Sequence, residues 1–127
     1  ISQTAERLAR RFWPGALTLV LWRLPQVPDL VTGGGETVAV RMPNHRVPLA
    51  LAAGLGRPIT GTSANRSGQA DLLTQEEVLD QLGGQVDHVV RCGPLPKGIA
   101  STVIDLTSEE PVLLREGALP FQLILEA

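Results

Sequence analysis

Apolar and polar positions change period several times along this chain, and each change marks an element. From Thr4 to Phe12, Ala5, Leu8 and Phe12 recur at helical spacing, which predicts a helix with one apolar side. Trp13-Pro14-Gly15 ends it, and the run Leu17 to Trp22 reads as a buried strand. Pro25 and Pro28 mark a loop. Gly33-Gly34-Gly35 lacks the following helix and the lysine of a phosphate-binding P-loop, so it reads as a hairpin turn. Thr37 to Pro43 then alternates: Val38 and Val40 face one way, Thr37, Ala39 and Arg41 the other. Pro43 stops regular pairing. Val47 to Leu55 is a helix, with Pro48 near its start and Gly54 and Gly56 near its end. A short strand is expected at Arg57 to Thr60.

In the second half, Thr74 to Leu82 reads as a helix. Thr74 and Glu77 have capping-box spacing, Val78, Leu79 and Leu82 supply the apolar side, and Gly83-Gly84 closes it. Val86 to Cys92 is expected to be a strand, followed by a loop, Gly93 to Gly98, placed to cover a ligand. Ala100 to Leu106 and Val112 to Gly117 are apolar strands around the turn signal Thr107 to Pro111, which together read as a hairpin. Pro120 to Ala127 begins another helix or ends ragged. Strands alternating with helices, then a terminal hairpin, predict one α/β domain over residues 1–127 with a mixed, twisted sheet.

Composition adds limits. The chain has 127 residues, 43% of them hydrophobic, enough for one core. No apolar run approaches the ~20 residues of a membrane span. One cysteine, Cys92, excludes an internal disulfide and fits a reducing cytoplasm, and a small buried residue is its expected role. His45 and His88 stand alone on different elements, so no metal cluster is expected. The net charge is −2, which gives no general attraction to nucleic acid.

Candidate chemistry lies in three places. Pro58 to Gly68 strings together Thr60, Gly61, Thr62, Ser63, Ala64 and Asn65. Such small residues make either a polar surface turn or a segment whose backbone N–H groups and hydroxyls converge on an anion. Arg41, at a strand's end, is placed to clamp a carboxylate or phosphate, or is an ordinary exposed arginine. Ser101 starts one strand of the terminal hairpin and Arg115 ends the other. Those ends are neighbours in an antiparallel pair, so a hydroxyl and a guanidinium should face one rim. No Ser–His or Cys–His pair suggests a covalent nucleophile, and Asp105, in a strand, reads as structural rather than as a metal ligand.

Five segments, in order, resemble successive motifs of the YrdC-type threonylcarbamoyl-adenylate synthases. They are Arg11 to Leu21 (Arg-Phe-Trp-Pro-Gly-Ala-Leu-Thr-Leu-Val-Leu), Val40 to Pro43 (Val-Arg-Met-Pro), Thr62 to Gly68 (Thr-Ser-Ala-Asn-Arg-Ser-Gly), Ser101 to Asp105 (Ser-Thr-Val-Ile-Asp) and Leu114 to Gly117 (Leu-Arg-Glu-Gly). The resemblance runs from about Ala5 to Ala118. It implies an open, twisted mixed sheet with flanking helices, and an enzyme joining threonine, bicarbonate and ATP into threonylcarbamoyl-adenylate and pyrophosphate for tRNA modification. Carried over residue by residue, Arg41, Gly61 and Ser101 resemble threonine contacts, and Thr37, Ser63, Asn65 and Arg115 nucleotide contacts. Mg²⁺ would be held mainly by the triphosphate, as is usual for this ion. The family also implies double-stranded RNA binding, which the charge does not support. The family's leading Pro-Thr-Asp/Glu-Thr strand and Lys-x-Arg-Pro segment have no counterpart here, so the chain reads as the C-terminal part of that domain. Two alternatives stand beside this reading. One is a nucleotide- or RNA-binding module without turnover, the other a carbamoyl-transfer domain of hydrogenase-maturation type.

Overall fold

The computed structural model describes residues 1–91 and 99–127. Cys92 and the loop Gly93 to Gly98, with Lys97, lie outside the described residues. The chain divides into two compact units, one made of Ile1–Asn44 and Ala100–Ala127, the other of His45–Ile99.

The first unit is built on an open four-stranded mixed sheet. Its strands are β1 (Leu17–Trp22), β2 (Thr37–Arg41), β3 (Thr102–Asp105) and β4 (Val112–Arg115), in the order β2-β1-β3-β4. β1 runs antiparallel to β2 and parallel to β3, and β3 runs antiparallel to β4. Alternation sorts the strand residues by face. Leu17 and Leu19 of β1 and Ile104 of β3 point to one side and are fully buried. There they join Ala5 and Leu8 of helix α1 (Gln3–Phe12), together with Leu106 and Ile124, the last from helix α5 (Phe121–Leu125). Each large aliphatic side chain so buried contributes about 1.5–3 kcal/mol. The other face carries Thr18, Val20 and Trp22 of β1, Thr37, Ala39 and Arg41 of β2, and Val103 and Asp105 of β3.

Local signals explain most of these elements. Ser2 caps α1 by accepting a hydrogen bond from the Ala5 amide at 3.2 Å. Gly15 closes the Trp13-Pro14-Gly15 turn, where a Cβ would stand 2.2 Å from the Phe12 carbonyl oxygen. Its amide donates to the Met42 carbonyl at 2.8 Å, tying that turn to the end of β2. Between β1 and β2 the structure adds a short helix, α2 (Asp29–Thr32), that the sequence pattern did not predict. It ends at Gly33 in the left-handed region, φ 63°, where glycine is the favoured residue. So Gly33-Gly34-Gly35 closes a helix within the β1–β2 connection, rather than forming a tight two-strand turn.

The second unit holds α3 (Arg46–Leu55) and α4 (Gln75–Leu82). His45 caps α3, its Nδ1 accepting from the Val47 amide at 3.2 Å. The Thr74–Glu77 capping box forms as the spacing predicts. Two expected strands do not form. Arg57 to Thr60 follows the left-handed Gly56 without entering a ladder, and Val86 to Arg91 bends and then runs free of any ladder. Val86, Val89 and Val90 lack the two-residue period of a strand, and Val86 and Val90 are exposed.

Candidate functional site

The cross-strand register lines up one row of residues on the open face of the sheet. Arg41 pairs with Thr18, Thr18 with Val103, and Val103 with Arg115. One irregularity makes the row possible. Between the Val103–Arg115 and Ile104–Leu113 pairs, β3 advances one residue and β4 advances two. Leu114 is therefore a bulge. Strict alternation would put Arg115 on the same face as Leu113, which packs against the core. The extra residue turns Arg115 to the open face.

Arg115 and Ser101 meet there. The guanidinium donates to the Ser101 carbonyl oxygen from Nε at 3.2 Å and from Nη2 at 2.9 Å, and Nη2 lies 3.4 Å from the Ser101 hydroxyl. Ser101 is 5% exposed, and its hydroxyl bonds the Thr18 hydroxyl at 2.8 Å. Thr18 is a site residue that the sequence reading missed. The signal available was a lone hydroxyl in an otherwise apolar run. Thr37, half-buried, lies two positions before Ala39 on Arg41's face and pairs with Trp22. Among the described residues, neither Arg41 nor Arg115 has a carboxylate partner, so both guanidiniums can receive an anion.

The backbone behind Ser101 is pinned from below. Thr102 is fully buried. Its hydroxyl accepts from the amides of Gly117 at 2.9 Å and Leu119 at 3.2 Å and donates to the Leu119 carbonyl at 2.5 Å. Gly117 has no room for a side chain, since a Cβ would stand 2.2 Å from the Ala100 oxygen and 2.7 Å from the Ser101 oxygen. That contact explains why glycine ends Leu-Arg-Glu-Gly. Asp105 takes the structural role expected of it. Its Oδ1 accepts from the Thr107 amide at 2.8 Å and the Thr107 hydroxyl at 2.7 Å, which shapes the β3–β4 turn.

In the second unit, the small-residue segment is organised by Asn65. Its Oδ1 accepts from the Ser63 hydroxyl at 2.6 Å, and its Nδ2 donates to the carbonyls of Arg66 and Gln69 at 3.1 and 2.8 Å. The Ser63 proton is thus engaged inside the loop. Gly61, Thr62 and Ser63 are exposed, and Gly61 stands in open space. Among the described residues no three His, Cys, Asp or Glu side chains are grouped to hold a metal, and no helix is long and apolar enough to cross a membrane.

Comparison with known proteins places the chain in a family and supports its fold. The Sua5/YciO/YrdC family model, described as "Telomere recombination", matches residues 1–117. Threonylcarbamoyl-AMP synthase of Pyrococcus abyssi is 47% identical over 122 residues, covering 96% of this chain and 36% of that protein. The Bacillus subtilis enzyme of the same name is 45% identical, covering 92% and 34%. The chain thus spans about a third of the length of these relatives. The crystal structure of P. abyssi Sua5 complexed with L-threonine superposes with a TM-score of 0.92 at 46% identity, over 99% of this chain and 37% of that one. E. coli YciO superposes with a TM-score of 0.84 at 33% identity, over 96% and 60%. With the five motifs in order, the open mixed sheet and a family match over 117 residues, this chain belongs to the Sua5/YciO/YrdC family.

Proposed function

We propose that this chain provides a substrate-binding part of an L-threonylcarbamoyladenylate synthase. The observation that carries the reading is the row Arg41–Thr18–Val103–Arg115, with Ser101 beside it, across the open face of the sheet. The two arginines stand on the outermost strands. At 4.7–4.9 Å per strand their backbones are about 14 Å apart. Guanidiniums on opposite edges of one face can serve anionic groups on two substrates. Arg41, with Ser101, takes the threonine carboxylate; Arg115 and Thr37 contact the nucleotide. In the second unit, the segment held by Asn65 presents the backbone of Gly61 and Ser63, a kind of surface that suits an anion.

The reaction needs positioning and charge neutralisation rather than a covalent nucleophile. Threonine's amine and bicarbonate give a carbamate with loss of water. A carbamate oxygen attacks the α-phosphorus of ATP, the bond from that phosphorus to the oxygen bridging to the β-phosphate breaks, and pyrophosphate leaves with the electron pair. A fixed guanidinium at the triphosphate stabilises the charge that develops. Mg²⁺ would travel on the triphosphate and screen its charge. The product would feed tRNA modification in the cytoplasm.

The test is pyrophosphate release that depends on both threonine and bicarbonate, by the gene product that carries these residues. Arg41→Ala should weaken threonine binding roughly ten- to a hundredfold, the loss of a charge-assisted pair of about 1.5–3 kcal/mol, with ATP affinity little changed. Release that ignores threonine, or threonine affinity within twofold of wild type in Arg41→Ala, would overturn the reading.

A further inference from the structure

We infer that Thr18 is a positioning residue, holding the Ser101 hydroxyl so that its proton points out of the sheet toward the carboxylate of threonine. The inference rests on the threonine-site reading above and deepens it.

A serine hydroxyl has one proton and two lone pairs. Ser101 is almost wholly buried, so water does not set its rotamer. Two neighbours can donate to its oxygen: the Thr18 hydroxyl at 2.8 Å and, at the longer distance of 3.4 Å, Arg115 Nη2. With both donating inward, the lone pairs are occupied and the proton is what remains to offer a ligand. An anion is the acceptor that such a donor suits, because a hydrogen bond to a charged group is stronger than a neutral one. The sheet also places Thr18 between the two threonine contacts. It stands directly across from Arg41 in the β1–β2 register and bonds Ser101 on the β3 side. Thr18 thus acts through Ser101, and the two should behave as one unit in substitution.

The experiment measures L-threonine and ATP affinity by calorimetry on the gene product carrying these residues, for Thr18→Val, Thr18→Ser, Ser101→Ala and the double variant Thr18→Val/Ser101→Ala. Valine keeps the shape of Thr18 and removes the hydroxyl. It should weaken threonine binding about three- to tenfold, the worth of one hydrogen bond, and leave ATP affinity unchanged. Thr18→Ser, which keeps the hydroxyl, should stay within twofold of wild type. In the Ser101→Ala background, Thr18→Val should cost nothing more. If Ser101→Ala weakens threonine binding while Thr18→Val does not, or if the valine effect persists in full without Ser101, the positioning role is overturned. A Thr18→Ser variant as weak as Thr18→Val would also overturn it, because packing and not the hydroxyl would then be at work. If Ser101→Ala and Arg41→Ala both leave threonine affinity unchanged, the site reading itself fails.

Discussion

Gly117 shows how a single position can tie stability to the site. Its backbone lies against the Ala100 and Ser101 peptide groups, the second of which supplies the oxygen that Arg115 binds. Gly117→Ala should cost about 1–3 kcal/mol, the usual penalty of forcing a methyl into a filled space. Because backbone and not a flexible side chain blocks the methyl, relief must come from moving Ala100–Ser101. The substitution should therefore weaken threonine binding as well as lower the urea midpoint. An unchanged midpoint would mean that the β4–α5 turn yields freely. The sequence reading placed Ser101 and Arg115 at neighbouring strand ends, because hairpin geometry is local. It passed over Thr18, whose lone hydroxyl in an apolar run is only a faint signal and whose partner lies 83 residues away. Nor could it see the Gly117 contact, which joins two segments through packing alone.

At the scale of elements, legibility followed the range of the interactions. α1, α3 and α4 and all the strands that form were readable, because caps, periods and turn residues lie within them. α2 spans four residues, too short for a period to show. The expected strands at Arg57 to Thr60 and in the described part of Val86 to Cys92 failed for the complementary reason, since a strand needs a ladder partner. The α4 cap makes its own prediction. The Leu73 and Thr74 amides donate to the Glu77 carboxylate at 2.9 and 3.0 Å. These bonds hold its pKa below the ordinary glutamate value, with desolvation opposing them and the Thr74 hydroxyl adding a lesser lowering. A carboxylate with a depressed folded pKa stabilises above its unfolded value, and that contribution fades as pH falls through the folded one. The α4 N-terminus should accordingly fray on acidification, seen as amide shifts at Leu73 to Val78. Glu77→Gln should remove that pH dependence, and an equal acid response in the variant would assign it to another group. The bulge at Leu114 can be tested by deleting that residue. Arg115 would then follow Leu113 directly, so regular alternation keeps it on the open face opposite Val103, and under the proposed nucleotide role ATP affinity should stay near that of the wild type while the β3–β4 ladder becomes regular. Loss of ATP binding in the deletion variant, with the ladder intact, would show that the local bend of the bulge, and not only the face Arg115 occupies, matters to the nucleotide.

Across the whole molecule, burial is uneven. All the fully buried side chains among the described residues belong to the unit of Ile1–Asn44 and Ala100–Ala127. In α3, Leu51 and Leu55 remain exposed. Local opening is easiest where few apolar contacts oppose it. Hydrogen exchange should find the slowest amides in β1 and β3 and markedly faster ones in α3 and α4, whereas equal protection would point to a single cooperative unit. The 83-residue separation of Thr18 and Ser101 has a further consequence in time. The β1–β2 hairpin can form early, as its two strands are close in sequence, but β3 cannot join β1 until the long segment between them has been made and closed. Synthesis therefore delivers Thr18 well before Ser101, and the two can meet only once β1 and β3 have paired. A ligand of the proposed site would bind only molecules in which that parallel pairing has been made, and would so favour completed sheets over unfinished ones.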